Sequence, residues 1–513
     1  MVALATNVSA DCARSRLPAN QRTGYNNQAG NIEACFGCLQ LPNEREVSMD
    51  FVIVLAALCF LMFVAYRGYS VILFAPVAAL GAVLLTDPGM VAPMFTGLFM
   101  DKMVGFVKNY FPVFLLGAVF GKVIELSGFS KAIVASVINL LGPQRAMLSI
   151  VLVCGILTYG GVSLFVVVFA VYPFAAEMFK ASRIPKRLIP GTIALGAFTV
   201  TMDALPGTPQ IQNIIPTTFF HTTTWAAPWL GAIGAVFIMA CGMSYLEWMR
   251  RRALAANEGY GTDLVNEPAA FEHEKLANPL VAILPLVMVG VMNKVFTNII
   301  PAVYGEQVSF MPAVIGTVKP VVQNISGVAA IWAVEGALLV GILTVFVFAG
   351  KTVLGKFAEG SKSAVAGALL ASINTASEYG FGAVIAALPG FLVIANALGA
   401  IPNPLVNEAI TVTALAGITG SASGGMSIAL AAMSETFIAN AHAAGIPLEV
   451  FHRVASMASG GMDTLPHNGA VITLLAVTGL THKQSYKDIF AITCIKTMAV
   501  FVIIAVYYAT GIV

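Results

Sequence analysis

Charge is what this sequence has least of. Only 10% of its 513 residues are Asp, Glu, Lys or Arg, against 58% hydrophobic ones, whereas a soluble globular domain carries about 25% charged residues. With a mean hydropathy of +0.86, that shortage excludes a water-soluble globule. Apolar runs of this density span lipid as helices, because a lipid-exposed backbone must satisfy its own N–H and C=O groups, so the expected class is an all-α polytopic membrane protein with about 10–12 spans. The net charge is +2 and there is no long basic run, which removes nucleic acid as a partner. Cysteine is sparse as well. Cys59, Cys154, Cys241 and Cys494 sit inside apolar runs, where a thiol acts as a small hydrophobe. Cys35 and Cys38 have no second pair at a zinc-site spacing, so neither a disulfide framework, a metal nor a cofactor is expected. No His-Glu-x-x-His occurs. Lipid and small solutes remain as partners.

Residues 1–48 are polar and rich in Asn, Gln and Arg, and are expected to be disordered or a non-native extension, since Met49 and the apolar run behind it read as a start. Spans are then expected near residues 51–66, 69–86, 111–126, 188–220, 226–246, 279–296, 328–348, 364–373, 380–398 and 489–510, with an amphipathic stretch at 93–108. The first repeat is taken as 49–246, a polar cytoplasmic linker as 247–278 and the second repeat as 279–513. Lys180, Arg183, Lys186 and Arg187 cluster in one loop and Arg250, Arg251 and Arg252 in another, two crossings apart, so both can lie on the cytoplasmic face, with Trp225, Trp229 and Trp248 as an interfacial belt. The charge run at 253–277 reads as a solvated face.

The chain is organised around Met202-Asp-Ala-Leu-Pro-Gly-Thr-Pro-Gln-Ile-Gln-Asn213. Pro206 and Pro209 lack an N–H and Gly207 permits backbone other residues avoid, so a helix must break here. Unwound backbone at membrane depth survives only when buried in protein or lining a wet cavity. The string Met-Asp-x-Leu-Pro returns at Met462–Pro466, 260 positions later and about half the chain away. Two interruptions of apolar runs, Thr158-Tyr-Gly-Gly-Val-Ser163 and Gly417-Ile-Thr-Gly-Ser-Ala-Ser-Gly-Gly-Met-Ser427, stand 43 and 39 positions ahead of Pro206 and Pro466. Each reads as the tip of a re-entrant hairpin, although the first also fits one long helix packing through Gly160 and Gly161. Interrupted segments in matching positions of two halves point to the binding site of a secondary transporter.

Tyr66-Arg-Gly-Tyr-Ser-Val-Ile-Leu-Phe-Ala-Pro76, the first hairpin motif, Asp203-Ala-Leu-Pro-Gly-Thr-Pro-Gln-Ile-Gln-Asn213 and Gly460-Gly-Met-Asp-Thr-Leu-Pro-His-Asn468 resemble the GntP-type gluconate permease family, over about residues 49–513. That resemblance implies proton symport of gluconate or related small organic anions. It also implies the architecture of the ion transporter superfamily: two inverted repeats with re-entrant hairpins and broken helices, commonly a homodimer in the cell inner membrane moving a transport domain past a scaffold. Within the family the chain is similar to a branch associated with short hydroxy acids such as 3-hydroxybutyrate.

An organic anion at the bilayer centre needs its charge met by dipoles or donors, and paired half-helix N-termini supply both. Candidate donors are Thr208, Gln210, Gln212, Asn213, His467 and Asn468 from the breaks, with Thr158, Ser163, Ser421 and Ser423 from the hairpin tips. Asp203 and Asp463 are the proton-coupling candidates; each equally suits an N-cap on the half-helix after its break. His467 titrates near neutrality when unperturbed. Glu378 and Glu408 are either further intramembrane carboxylates or interfacial. The alternatives are a sodium-coupled organic anion carrier or a cation/proton antiporter of the same superfamily. An intramembrane protease finds no consistent motif, since Met462 stands where an aspartyl site needs glycine.

Overall fold

Helices form in the apolar runs, and several of their ends fall at Gly, at Pro or at a capping Asn or Ser such as Asn278, Asn403, Ser421 and Asn468. The computed structural model describes residues 44–67, 69–142, 145–262, 265–268, 276–311, 320–466 and 468–513; the compact unit they build runs from Asp50 to Val513. His467 and the N-terminal segment 1–43 lie outside the described residues.

The first half comprises α1 (Glu44–Tyr66), α2 (Val71–Thr86), α3 (Met100–Leu126), α4 (Phe129–Leu141), α5 (Ala146–Tyr159), α6 (Leu164–Ala181), α7 (Leu188–Ala197), α8 (Ile211–Phe220) and α9 (Pro228–Ala255). The second comprises α10 (Pro279–Tyr304), α11 (Ala329–Ala387), α12 (Phe391–Gly399), α13 (Pro404–Thr419), α14 (Ala422–Ala444), α15 (Leu448–Ser459), α16 (Gly469–Thr478) and α17 (His482–Thr510). Ala349 in α11 leaves helical geometry, with φ −132° and ψ 18°, so the element behaves as two helices across a kink. Counting it so, the order of elements recurs: two leading helices, a long helix, a short one, a hairpin, a broken helix and a closing span. The chain is thus an all-α polytopic membrane protein. Five of the described helices are long and apolar enough to cross a bilayer unaided, and seven further apolar helices are shorter, Leu188–Ala204 and Gly469–Thr478 beside the two breaks among them.

Three boundaries differ from the sequence reading. Residues 350–387 continue as one helix, so 364–373 and 380–398 are not separate spans; no proline interrupts the run until Pro389. The amphipathic stretch 93–108, which opens on a π-helical turn at Phe95–Phe99, runs on into the span 111–126 as continuous helix despite Pro112. A short antiparallel hairpin, β1 (Gln307–Phe310) with β2 (Val321–Asn324), pairs Gln307 with Asn324 and is the one strand pair among the described residues.

The segment after α9 is a strap whose described residues stay mostly exposed, as a solvated face should, while a few of them tie down neighbouring loops; Asp263 and residues 272–274 lie outside the described residues. Lys186 is buried, ion-pairs with Glu267 at 2.7 Å and donates to the Val265 carbonyl at 2.6 Å. Arg187 forks onto Glu258 at 2.6 and 2.9 Å and reaches Asp488 at 3.1 Å; the Glu258 hydrogen bonds hold its guanidinium above the ordinary range. Asn266 donates to Ala476 and its carbonyl accepts from Tyr172. The strap therefore joins the loop before α7 to the α16–α17 turn. It also brings the Lys180–Arg187 loop and the end of α9 to one face, as the basic clusters required.

Candidate functional site

The first break begins after α7 with a π-helical turn, Val200–Ala204, then turns extended at Leu205 and restarts as α8 after Gln210. Gly207 has φ +76°, and an added Cβ there would lie 2.5 Å from the Trp225 ring, so glycine is required both by conformation and by the indole packed on it. Backbone groups freed at such depth must find partners, and here they do. Thr208 donates to Thr201 O, Tyr159 to Pro206 O, Asn293 to Gly207 O and Asn213 to Thr208 O and Thr224 O. Asp203 O accepts from Arg453 at 3.0 Å and Ser456 at 2.8 Å, both on α15 of the other half.

The second break, between α15 and α16, is satisfied in the same manner. Thr497 donates to Gly461 O, Tyr486 to Thr464 O, and the Asn468 carboxamide oxygen caps Val471 N at 2.9 Å. Both Leu205 and Leu465 lie outside helices.

Each hairpin tip docks on the break of its own half. Gln210 donates to Thr158 O at 2.8 Å and more weakly to Val162 O at 3.5 Å; Asn468 donates to Gly420 O at 2.7 Å. The tips are true turns between two helices, not one continuous helix: Gly161 has φ +96° and Gly420 φ +64°, and Ser421 caps α14 by accepting from Gly424 N.

The two breaks meet at Lys496, near the middle of α17. Its ammonium lies 3.0 Å from Asp203 Oδ2 and 3.7 Å from Asp463 Oδ1, and donates to the Phe198 carbonyl where α7 ends. Lys496 is 2% exposed and Asp203 fully buried. Gly460 packs against this group so closely that a Cβ would fall 2.0 Å from Asp203 Oδ2 and 2.2 Å from Lys496 Nζ. Beside it lies a cavity of about 10 Å³ lined by Thr199, Thr464, Thr493 and Lys496 among others, room for about one water molecule.

A second buried cation, Arg453, fastens the first break. It donates to Ala226 O at 2.8 and 3.2 Å and to Asn213 Oδ1 at 3.1 Å, in addition to Asp203 O. His452 beside it contacts Asn213 Oδ1 at 3.2 Å and Thr222 Oγ1 at 2.6 Å. Asn213 and Asn468, expected as ligand donors, are here engaged in holding backbone. Thr208 and Gln210 are engaged likewise. Ser163 sits at the start of α6 without a side-chain cap bond. What stays unpartnered and buried is Thr158 Oγ1, Gln212 Oε1, Trp225 Nε1 and Asp203 Oδ1 around the first break. Helix α8 also begins without a side-chain cap, and Lys294 lies 4.8 Å over the Trp225 ring.

The remaining hydroxyls of the second tip face α11. Ser423 Oγ is 3.4 Å from Thr375 Oγ1, and Gly424 lies against the Glu378 carboxylate, whose Oε2 has no partner. Glu378 and Glu408 are both buried within the protein. Lys496 and Arg453 escaped the sequence reading although a signal existed. Lys496 is the lone charge between Asp488 and the chain end, and an ionisable residue within a span is functional by default. Trp225 is half-buried against Gly207, whereas Trp229 and Trp248 are exposed as belt residues should be.

A multi-pass helical bundle in which two unwound segments bury carboxylates around one ammonium is the architecture of a membrane transporter. The chain is 59% identical over 474 residues, 91% of its own length and 100% of the relative's, to a Bacillus subtilis (strain 168) protein named as the uncharacterized transporter YxjC. It belongs to the same family of transporters as that protein. No family model matches the sequence. The crystal structure of the Alcanivorax borkumensis YdaH transporter resembles it at a TM-score of 0.48 and 15% identity, over 83% of this chain and 90% of that one, a likeness too slight to carry an argument.

Proposed function

We propose that the protein is a secondary active transporter that carries a small organic anion with protons, by alternating access of elevator type, as a homodimer in the cell inner membrane. The motifs shared with gluconate permeases support an organic anion, and within that class a short hydroxy acid such as 3-hydroxybutyrate, or gluconate. Residues 49–246 and 279–513 act as the two inverted repeats, joined through 247–278.

The observation that carries this reading is the group formed by Asp203, Lys496 and Asp463 where the two breaks meet. With Arg453, which bonds main-chain carbonyls and Asn213 Oδ1 nearby, two buried cations offset two buried carboxylates. An incoming carboxylate adds one negative charge to this neutral set, and a buried unbalanced charge is expensive. A proton taken up on Asp203 or Asp463 restores neutrality, so anion and proton travel together. The anion is received at the uncapped N-terminus of α8, where helix dipole and free N–H groups favour negative charge, with the hydroxyl of Thr158 and the indole N–H of Trp225 as added donors. A sodium-coupled carrier is the second reading, favoured by the oxygen-rich contact of Ser423, Thr375 and Glu378 at the other tip.

Uptake into proteoliposomes separates the two. A pH gradient, acid outside, should drive accumulation of 3-hydroxybutyrate or gluconate without sodium, and a sodium gradient at symmetric pH should not. Accumulation of neither acid under either gradient, by protein that is folded and correctly inserted, would sink the proposal.

A further inference from the structure

Lys496 is surrounded by oxygen in the pattern that a bound metal cation adopts. Two carboxylates, from Asp203 and Asp463, and one main-chain carbonyl, Phe198 O, converge on its ammonium. They come from two distant pieces of chain: the first break, with Phe198 where α7 ends and Asp203 in the π-helical turn that follows, and the second break with Asp463. Beside them, the hydroxyl-bearing Thr199, Thr464 and Thr493 line a cavity of about 10 Å³. Hard cations take sets of carboxylate, carbonyl and hydroxyl oxygens. Lysine contributes the same single positive charge on a stem of four carbons, fixed to α17.

We infer that Lys496 is a tethered cation occupying a monovalent-cation site built by both broken helices, and that its presence makes this site blind to sodium. Two consequences follow from the geometry. The charge that holds the two breaks together never leaves with the solute, because it is part of the chain. Removing the stem while leaving the oxygens should also turn the same place into a sodium site, since Lys496→Ala leaves two carboxylates, a carbonyl and the space of the lost side chain. Lys496→Met removes the charge but keeps the space filled, so no cation can enter. The role given to the site in coupling rests on the carrier reading above, whereas the site itself is tested without any transport.

Purified full-length protein in detergent would be melted in sodium chloride and in choline chloride at equal ionic strength. The wild type should give the same midpoint in both. Lys496→Ala should melt higher in sodium, saturably and by about 3–5 °C, as a ligand selective for the folded state requires, and Lys496→Met should respond to neither salt. A wild type stabilised by sodium as strongly as the alanine variant overturns the inference, as does a folded alanine variant indifferent to sodium. If Lys496→Ala cannot be purified folded in choline, sodium must recover it; failure in both salts also overturns the inference. Sodium binding to the wild type would remove this site and leave the carrier intact, whereas absence of all anion uptake would remove the carrier and leave these melting results untouched.

Discussion

Replacing Gly460 by alanine tests the junction of the two breaks with one methyl group. The added Cβ would fall 2.0 Å from Asp203 Oδ2 and 2.2 Å from both Cε and Nζ of Lys496. Ordinary contact begins near 3.4 Å, so the carboxylate, the lysine or the Gly460 backbone must retreat by more than about 1 Å in a region packed to crystal-like density. Taking the ion pair from 3.0 Å to about 4.2 Å weakens its attraction by about 1.5 kcal/mol at an effective dielectric of about 20. Overpacking adds about 1–3 kcal/mol. Gly460 has φ −83°, a conformation alanine adopts freely, so the lower entropy of the unfolded alanine chain returns about 0.4–1 kcal/mol. The expected net loss is about 1.5–4 kcal/mol, obtained by combining the overpacking and unfolded-state contributions with the weakened pair. Reversible unfolding in mixed micelles would measure it. A double-mutant cycle with Lys496→Met should show an interaction above about 1 kcal/mol, because the two positions share a contact. Stability within about 0.5 kcal/mol of wild type would mean that the second break does not press on Asp203, and the reasoning about a shared site would fall with it.

Arg453 should tolerate no substitution. Arg453→Ala leaves Ala226 O without its side-chain donor and takes one of two partners from Asp203 O and from Asn213 Oδ1; it is expected to cost about 3–5 kcal/mol, and Arg453→Lys should recover less than half of that, since an ammonium cannot fork between Ala226 O and Asn213 Oδ1; melting of the two purified variants decides. Asp463→Asn should abolish proton-driven accumulation in vesicles while one-for-one exchange of the solute continues, and retained uphill uptake would exclude Asp463 as the proton carrier. In the strap, Glu258→Ala should cost less than about 1 kcal/mol and nothing measurable in high salt, being half-exposed. Glu267→Gln, which takes the carboxylate from buried Lys186, should cost about 1–3 kcal/mol largely independently of salt; equal salt sensitivity of the two variants would contradict the burial of Lys186.

Much of the architecture follows from local chemistry and is therefore written in the linear sequence. Proline and glycine stop a helix wherever they fall in the pattern Leu-Pro-Gly-Thr-Pro, so the first break at Asp203–Gln210 was legible, and so was its counterpart at Met462–Pro466. The hairpin tips at Gly160–Ser163 and Gly420–Ser421 were legible for the same reason. Membrane class came from composition alone, because lipid leaves a chain this poor in charge no other folded state. Helix boundaries at 364–380 were not legible, since small residues such as Ala, Ser and Gly fit helix, turn and close packing alike.

Roles within the site were decided by tertiary structure. Asn213 and Asn468 have the composition of ligand donors, yet their amides hold backbone, and only the fold says which carbonyl lies within reach. Glu258 and Glu267 look solvated until the loop before α7 places Arg187 and Lys186 beneath them. The Asp203–Lys496–Asp463 group joins Asp203 to residues 260 and 293 positions further along the chain. The repeated Met-Asp-x-Leu-Pro string relates the two carboxylates to each other but not to Lys496, and the proximity of all three arises because α17 passes the point where two separately unwound helices converge. Residue type and spacing thus fixed where the backbone would open, a matter of neighbouring dihedral angles and missing N–H groups. Which charges would close around those openings depended on packing between distant helices, and that is a property of the folded chain.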